Sequence, residues 1–214
     1  MKVAIILFAY NRPHYLKKAI KSHRFNELAY AFIDKSDKQD EVFDIINDRN
    51  IYFRIVKRRR HYGLNNNIIS GISEVLRVFD AVIVLEDDLI ISRDAIAYLT
   101  NQLKLYKDNK KCFAVSLSKG DGNTFKCWGW GIWKDRWNKI DWTVNPGGKN
   151  SDSWDMILNE NMKRKKMFCK CSDKNRVKHI GIKGTHYSYK DLFSIRRWFR
   201  WIREQHLPRT SRIQ

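Results

Sequence analysis

The chain has 214 residues, of which 43% are hydrophobic and 13% aromatic, so it holds enough apolar material for a packed core. This composition argues against disorder over most of the chain. Four cysteines are too few for a disulfide scaffold, so we expect reduced thiols. The 42 Lys and Arg residues exceed the 23 Asp and Glu residues, for a net charge of +19. Such a charge indicates an anionic partner (nucleic acid, an acidic membrane surface or a charged substrate) or simply a basic, well-solvated surface.

Strand-like and helix-like segments alternate along the first half of the chain. Short apolar runs predict strands, and apolar residues at helical spacing predict helices between them. The predicted strands are 3–8, 29–33, 51–56, 81–85 and 113–117, and the predicted helices are 13–22, 40–47, 64–79 and 93–106. This alternation predicts an α/β domain with a mostly parallel sheet and helices on both faces. After Asp121 the pattern becomes irregular and rich in Trp, which predicts loops and short strands over the carboxyl edge of the sheet.

Three adjacent acids, Glu86, Asp87 and Asp88, directly follow the most apolar predicted strand. Ligands of such sheets bind beyond the carboxyl ends of the strands. Adjacent carboxylates repel one another unless a cation neutralises them, and oxygen ligands suit Mg²⁺ or Mn²⁺. The alternative is a solvated acidic turn that caps the next helix. A nuclease would need further acids converging on the metal, and the sequence contains no obvious set.

Several motifs, taken together with their order and spacing, resemble a known family. The motifs are Tyr10-Asn11-Arg12-Pro13, His61-Tyr62, Val82 to Leu89, Cys127 to Trp137, Ser153-Trp154-Asp155 and Lys183-Gly184-Thr185-His186. The first three resemble GT-A glycosyltransferases, most closely the eukaryotic N-acetylglucosaminyltransferase that begins complex N-glycans. The Trp-rich segment resembles bacterial family-2-like sugar transferases of surface-polysaccharide clusters, and the last two motifs are similar to segments in both groups.

The resemblance implies a GT-A, Rossmann-like nucleotide-sugar-binding domain over residues 1–187, followed by a basic amphipathic tail over 188–214. It implies a metal-dependent, inverting transfer of a hexose or N-acetylhexosamine from a nucleotide-sugar, with UDP favoured over GDP. The acceptor would be a glycan or a lipid-linked intermediate of surface polysaccharide, lipopolysaccharide or capsule synthesis. The implied cofactor is Mn²⁺ or Mg²⁺.

The resemblance also assigns roles on the donor side of the site. Asp88, the last acid of the motif, would bind the metal that holds the nucleotide diphosphate. Asp87 would lie near the donor ribose or sugar, and Arg12 would meet the nucleotide. Asp34 would face the base, and His61 would lie near the nucleotide. For His61 the alternative is a packed loop histidine.

On the acceptor side, the resemblance makes Asp155 the catalytic base and puts His186 on a loop that closes over the donor. An inverting transfer needs a base that takes the proton of the acceptor hydroxyl. The alternative for Asp155 is an ordinary acid at a helix start. His179 is assigned a structural role, because only His186 matches the family position.

Tryptophans are concentrated between residues 128 and 137. Trp128, Trp130, Trp133 and Trp137 suit either the apolar faces of sugar rings or the core of the region that covers the sheet. We expect most of them to be core, with one or two lining the acceptor cleft.

The last quarter of the chain carries most of the positive charge. Residues 163–214 contain sixteen Lys and Arg against three acids, a net +13. A helix over 192–203 would have Trp, Phe, Leu and Ile on one face and four Arg on the other, as in helices that lie on anionic membranes. An ordinary docked helix is the alternative. No apolar run approaches the roughly 18 residues of a membrane span, so we expect a cytoplasmic protein, peripheral on the inner face of a membrane.

Two other functions stay open at this point. A basic nucleic-acid-binding protein would account for the charge, but the chain lacks an RNP-type motif and a recognisable helix-turn-helix, so nucleic acid is the less favoured partner. A degenerate, non-catalytic relative of the glycosyltransferases is the other alternative.

Overall fold

The computed structural model describes residues 1–147 and 152–181. Within these ranges the strands are β1 (Val3–Ala9), β2 (Ala29–Ile33), β3 (Arg54–Lys57), β4 (Ala81–Glu86), β5 (Leu89–Ile91), β6 (Cys112–Lys119), β7 (Trp130–Trp133), β8 (Phe168–Ser172) and β9 (Val177–His179). The helices are α1 (Pro13–Ala19), α2 (Gln39–Asn47), α3 (Gly63–Val75), α4 (Ala95–Leu105), α5 (Lys134–Trp137) and α6 (Trp154–Arg164), with a 3-10 turn at Ile20–Ser22.

The described strands form a seven-stranded sheet in the order β3-β2-β1-β4-β7-β6-β8 and a separate antiparallel pair, β5-β9. Neighbouring strands are parallel from β3 to β4, and β6 is parallel to β8. Only β7 runs against its neighbours in this sheet of the described residues. The predicted mostly parallel sheet is therefore confirmed.

Both faces of the sheet are covered because its central strands are apolar on both sides. In β4, Ile83 and Leu85 pack with residues of α1, α2 and α4, whereas Val82 and Val84 pack with residues of α3 and α6. Close approach of α3 to β1 depends on Gly71, where an added Cβ would come within 2.6 Å of a Phe8 ring carbon. The doubly covered sheet fixes the positions of the strand ends.

The predicted elements differ from the structure mainly at their edges. The third predicted strand starts too early, because Phe53 is 68% exposed and the edge strand β3 begins only at Arg54. The helix predicted over 64–79 ends at Val75. The Trp-rich region contributes β7, whose residues Trp130 and Trp133 are buried.

The chain divides into two units, Met1–Ile180 and Gly181–Gln214. The predicted boundary between residues 187 and 188 and the predicted amphipathic helix lie outside the described residues, so both stay predictions. In the described part of the chain, no helix has the length and apolar character needed to cross a bilayer.

Candidate functional site

The candidate site lies where β1 and β4 end side by side. These strands are parallel neighbours, with Phe8 opposite Glu86, so the segments after both strands emerge at the same edge of the sheet. In the sheet, β2 and β3 lie on the β1 side of this pair, and β7, β6 and β8 lie on the β4 side. The junction between β1 and β4 is therefore a topological switch point. Open α/β sheets bind their ligands at such points. The predicted residues Arg12, Asp87 and Asp88 meet here.

Arg12 bridges the two aspartates. Its Nη2 donates to Asp87 Oδ1 at 2.5 Å, and its Nη1 lies 2.8 Å from Asp88 Oδ2. The backbone N–H of Tyr10 donates to the other oxygen of Asp87 at 3.1 Å. Both carboxylates are almost fully buried, whereas the Arg12 side chain is about a quarter exposed. Burial works against the charge of Arg12, but the two carboxylates raise its pKa above the usual value.

A histidine that the sequence assigned to a structural role lies against Asp88. His179 Nε2 is 3.1 Å from Asp88 Oδ2, because β9 pairs with β5 and sets His179 opposite Leu89. The ring of Trp128 stacks on the imidazole, with centroids 5.0 Å apart and planes within 8°. No sequence pattern predicts this contact, because the strand that carries His179 has only three residues and is too short to show a periodicity. The structure adds it to the candidate site.

The residues around Asp88 fit a divalent cation. Asp88 Oδ1 is buried and has no hydrogen-bond partner among the described residues, and such an atom is costly unless a ligand satisfies it. Mn²⁺ accepts a carboxylate oxygen, with phosphate oxygens and water in the remaining positions, and His179 Nε2 would join Asp88 as a ligand once it gives up the proton that it shares with Asp88. In the described residues, no three His, Cys, Asp or Glu side chains form a complete protein-only metal site.

The three acids of the motif have different pKa values. Burial, and then the charges of Asp88 and Asp87, raise the pKa of Glu86 to about 8. Burial also raises the pKa of Asp87 to about 6, although Arg12 opposes the shift. Burial acts on Asp88 in the same direction, but the hydrogen bond with His179 and the charge of Arg12 bring its pKa below the usual value. At neutral pH Asp88 is therefore ionised, as metal ligation requires, and Asp87, which pairs with Arg12, is mostly ionised as well.

Asp34 organises the neighbouring loop. Its two oxygens accept the backbone N–H groups of Tyr62 and Gly63 at 2.8 and 2.9 Å, and His61 Nδ1 lies 3.0 Å from Oδ2. Gly63 has a φ of +74°, a conformation that favours glycine. The imidazole of His61 is more than half exposed, and its ring centroid lies 5.2 Å from that of Tyr10. Asp34 therefore fixes the loop that carries His61, whose exposed ring contacts that of Tyr10 at the edge of the site.

Asp155 lies in the first turn of α6, where it is half-buried. The hydroxyl of Ser153 donates to its carboxylate. Burial raises the pKa of Cys127, and the charges of Glu86 and Asp155 add to the rise. The charge of Asp155 also contributes to the raised pKa of Glu86. These three groups therefore interact electrostatically, which connects Asp155 to the acid motif.

The remaining predicted positions divide in two. His186 and the tail lie outside the described residues. Trp130, Trp133 and Trp137 are buried, which confirms the expectation that most of these tryptophans are core, and Trp128 is 37% exposed beside His179.

Solved structures share this fold. The mannosyltransferase PcManGT from Pyrobaculum calidifontis, in complex with GDP-Man and Mn²⁺, matches 97% of this chain with a TM-score of 0.62 and 14% identity. S. aureus TarS 1-349 matches 85% with a TM-score of 0.60 and 13% identity, and its complex with UDP matches 83% with a TM-score of 0.58 and 12% identity. The chain spans 66% of the PcManGT chain, 61% of TarS 1-349 and 60% of the UDP complex.

No protein-family model matches the sequence, and no curated protein matches it. At these identities the likeness establishes the fold. The chain has the GT-A glycosyltransferase fold, so the predicted fold class and the resemblance to GT-A glycosyltransferases are confirmed at that level.

Proposed function

We propose that this chain is a metal-dependent, inverting glycosyltransferase that moves a sugar from a nucleotide-sugar, favouring a UDP-sugar, to a glycan or lipid-linked acceptor. The acceptor would belong to surface polysaccharide, lipopolysaccharide or capsule synthesis. The catalytic unit would be residues 1–187, with the tail at 188–214 as an appendage. A solved protein of the same fold holds GDP-Man and Mn²⁺, and another holds UDP, which supports a nucleotide-sugar as the donor.

The observation that carries this proposal is the state of Asp88. Its carboxylate is buried at the switch point, ionised at neutral pH, and keeps one oxygen without a partner among the described residues. A buried anion with an unsatisfied oxygen is unfavourable by itself, and a cation removes that cost. A solvated acidic turn, the alternative considered from the sequence, does not account for an aspartate that is 2% exposed.

On the donor side, Asp88 and His179 would hold Mn²⁺ or Mg²⁺. When bound, the cation would neutralise charge on the departing diphosphate. Arg12 keeps both aspartates oriented and contributes positive charge next to the same leaving group. The exposed rings of Tyr10 and His61 offer a surface on which a nucleotide base can stack.

On the acceptor side, Asp155 would take the proton of the attacking hydroxyl. The Ser153 hydroxyl orients its carboxylate, and its charge interacts with Glu86 at the end of β4. Inversion requires the hydroxyl to attack from the side opposite the leaving diphosphate, so the base and the cation must lie on opposite sides of the sugar. The donor sugar would lie between the base and the cation, and Trp128 and His179 would border it.

If the acceptor is lipid-linked, the chain would act at a membrane surface. The sequence of residues 192–203 supports this part of the proposal, because its aromatic and Arg faces suit an anionic leaflet. The chain would then act as a peripheral protein on the cytoplasmic face.

The test is a thermal-shift panel of UDP-, GDP- and dTDP-sugars, each with and without Mn²⁺. A ligand at about a hundred times its Kd adds about 2.7 kcal/mol, or roughly 5–10 °C for a chain of this size. We expect a shift that needs both one nucleotide class and Mn²⁺, and NMR of the released sugar should show the inverted anomer. No shift with any donor in a folded sample would contradict the proposal, and a retained anomer would contradict inversion.

A further inference from the structure

The first turn of α6 is fixed to the start of α3 by one side chain. Asn65 Oδ1 accepts the backbone N–H of Trp154 at 3.1 Å, and Asn65 Nδ2 donates to the carbonyl of Asp152 at 2.7 Å. The oxygen and the nitrogen of the Asn65 amide therefore each bind the backbone of a residue next to Ser153. Asp155 is the next residue after Trp154, so these bonds act directly on the turn that carries it.

The rest of α6 is held independently of Asn65. Asn159 Oδ1 accepts the backbone N–H of Phe125 at 3.0 Å. Asn161 accepts the N–H of Asp141 at 2.9 Å and donates to the Asp141 carbonyl at 2.8 Å. Because these bonds anchor the second turn, we expect the body of the helix to stay in place when the Asn65 amide is lost. The effect of that loss is then confined to the first turn.

The other end of this connection is the donor side of the site. Asn65 lies two residues after Gly63, whose N–H donates to Asp34. The N–H of Tyr62 donates to the same carboxylate. The loop that presents His61 and the turn that presents Asp155 are thus joined through the first turn of α3.

We propose that Asn65 is a positioning residue that sets Asp155 relative to the donor. This inference rests on the proposed function, in which Asp155 is the base. A base must be held within hydrogen-bond reach of the hydroxyl it deprotonates, and a misplacement of about 1 Å costs about a hundredfold in rate. Asn65 makes none of the described contacts of Arg12 or Asp88, so we expect its removal to change donor affinity much less than the rate.

Three variants separate this role from a general loss of stability. Asn65→Ala removes both bonds, and Asn65→Asp keeps an acceptor for Trp154 N–H but loses the donor to Asp152. Asn66→Ala is the matched control, because Asn66 is the exposed neighbour and its amide donates to Tyr62 O within the same segment. The assay is release of nucleoside diphosphate from the nucleotide-sugar that gives the largest thermal shift with Mn²⁺, with water as the acceptor.

We expect Asn65→Ala to lower kcat about 10- to 100-fold while the KM for the donor changes less than about twofold, the mark of an interaction used only in the transition state. Asn65→Asp should recover part of kcat, and Asn66→Ala should match the wild-type protein. Equal kcat values in Asn65→Ala and Asn66→Ala, or a loss that appears only in KM, would overturn the positioning role. No diphosphate release by the wild-type protein would overturn the proposed function itself.

Hydrogen exchange supplies a readout that does not depend on turnover. The amide of Trp154 donates to Asn65, so it should exchange faster in Asn65→Ala and at the wild-type rate in Asn66→Ala. Amides in the second turn of α6 should be unchanged in both variants. Unchanged exchange at Trp154 in Asn65→Ala would contradict the connection between the two helices, whatever the activity.

Discussion

Replacing Arg12 by Met removes the positive charge that pairs with Asp87 and Asp88 but keeps most of the side-chain volume. Both partners are buried, and removal of one member of a buried ion pair costs about 3–5 kcal/mol, since an uncompensated charge is left behind. Arg12 is about a quarter exposed and His179 still contacts Asp88, so we take the lower end, about 3 kcal/mol. For a domain of this size that corresponds to a fall in Tm of roughly 6–12 °C.

The loss should depend on pH. Burial already raises the pKa of Asp87 to about 6, and Arg12 opposes that rise. Without Arg12 the folded-state pKa of Asp87 rises further, so the acid is protonated and uncharged in the folded variant at low pH. The destabilisation should therefore be larger near pH 7.5 than near pH 5.

Urea unfolding of the wild-type and variant proteins at both pH values measures this effect. Arg59→Met is the matched control, because Arg59 is exposed, and it should change the free energy of unfolding by less than about 0.5 kcal/mol. Arg12→Lys keeps the charge but loses the fork in which one nitrogen contacts Asp87 and the other contacts Asp88, so an intermediate loss is expected. A change below about 1 kcal/mol in Arg12→Met, or a loss equal at the two pH values, would refute the ion-pair reasoning.

Two further predictions concern the buried polar residues His23 and Asp34. Burial lowers the pKa of His23 to about 4, below the value of about 6.5 in the unfolded chain, so the free energy of unfolding should fall by about 3 kcal/mol as the pH drops from about 6.5 to about 4. In pH-dependent urea unfolding, this fall should be absent in His23→Gln and present in the exposed control His14→Gln. Asp34→Asn leaves one oxygen for the three backbone N–H groups of Lys35, Tyr62 and Gly63, so we expect a loss of about 1–3 kcal/mol in urea unfolding, against no change in the exposed control Asp37→Asn. Equal unfolding curves for either pair of variants would contradict the corresponding assignment.

The sequence predicted the central sheet because its strands carry continuous apolar runs, as at residues 81–85, and its helices carry apolar stripes. It also predicted that acids would lie at the carboxyl end of β4. It did not predict the strand order beyond β4, since insertion of the antiparallel β7 between β4 and β6 depends on packing of Trp130 and Trp133 rather than on periodicity.

Prediction of the site was limited by contacts between distant segments. The motifs and their order predict that Arg12, Asp87 and Asp88 belong to the site, but the bridge that Arg12 makes depends on the register of β1 against β4. The resemblance at His186 favours a structural role for His179, whereas the β5-β9 pairing sets His179 against Asp88. Asn65 carried no motif at all, and its two bonds appear only when α3 and α6 are seen together.

The central claim is that Asp88 holds a cation together with a nucleotide diphosphate. Isothermal titration of the favoured nucleotide-sugar in the presence of Mn²⁺ tests it, on the wild-type protein, on Asp88→Asn and on the exposed control Asp108→Asn. The account predicts Mn²⁺-dependent binding in the wild-type and Asp108→Asn proteins, and at least a tenfold weaker affinity, about 1.4 kcal/mol, in a folded Asp88→Asn protein. Equal Mn²⁺-dependent affinity in all three proteins would contradict it.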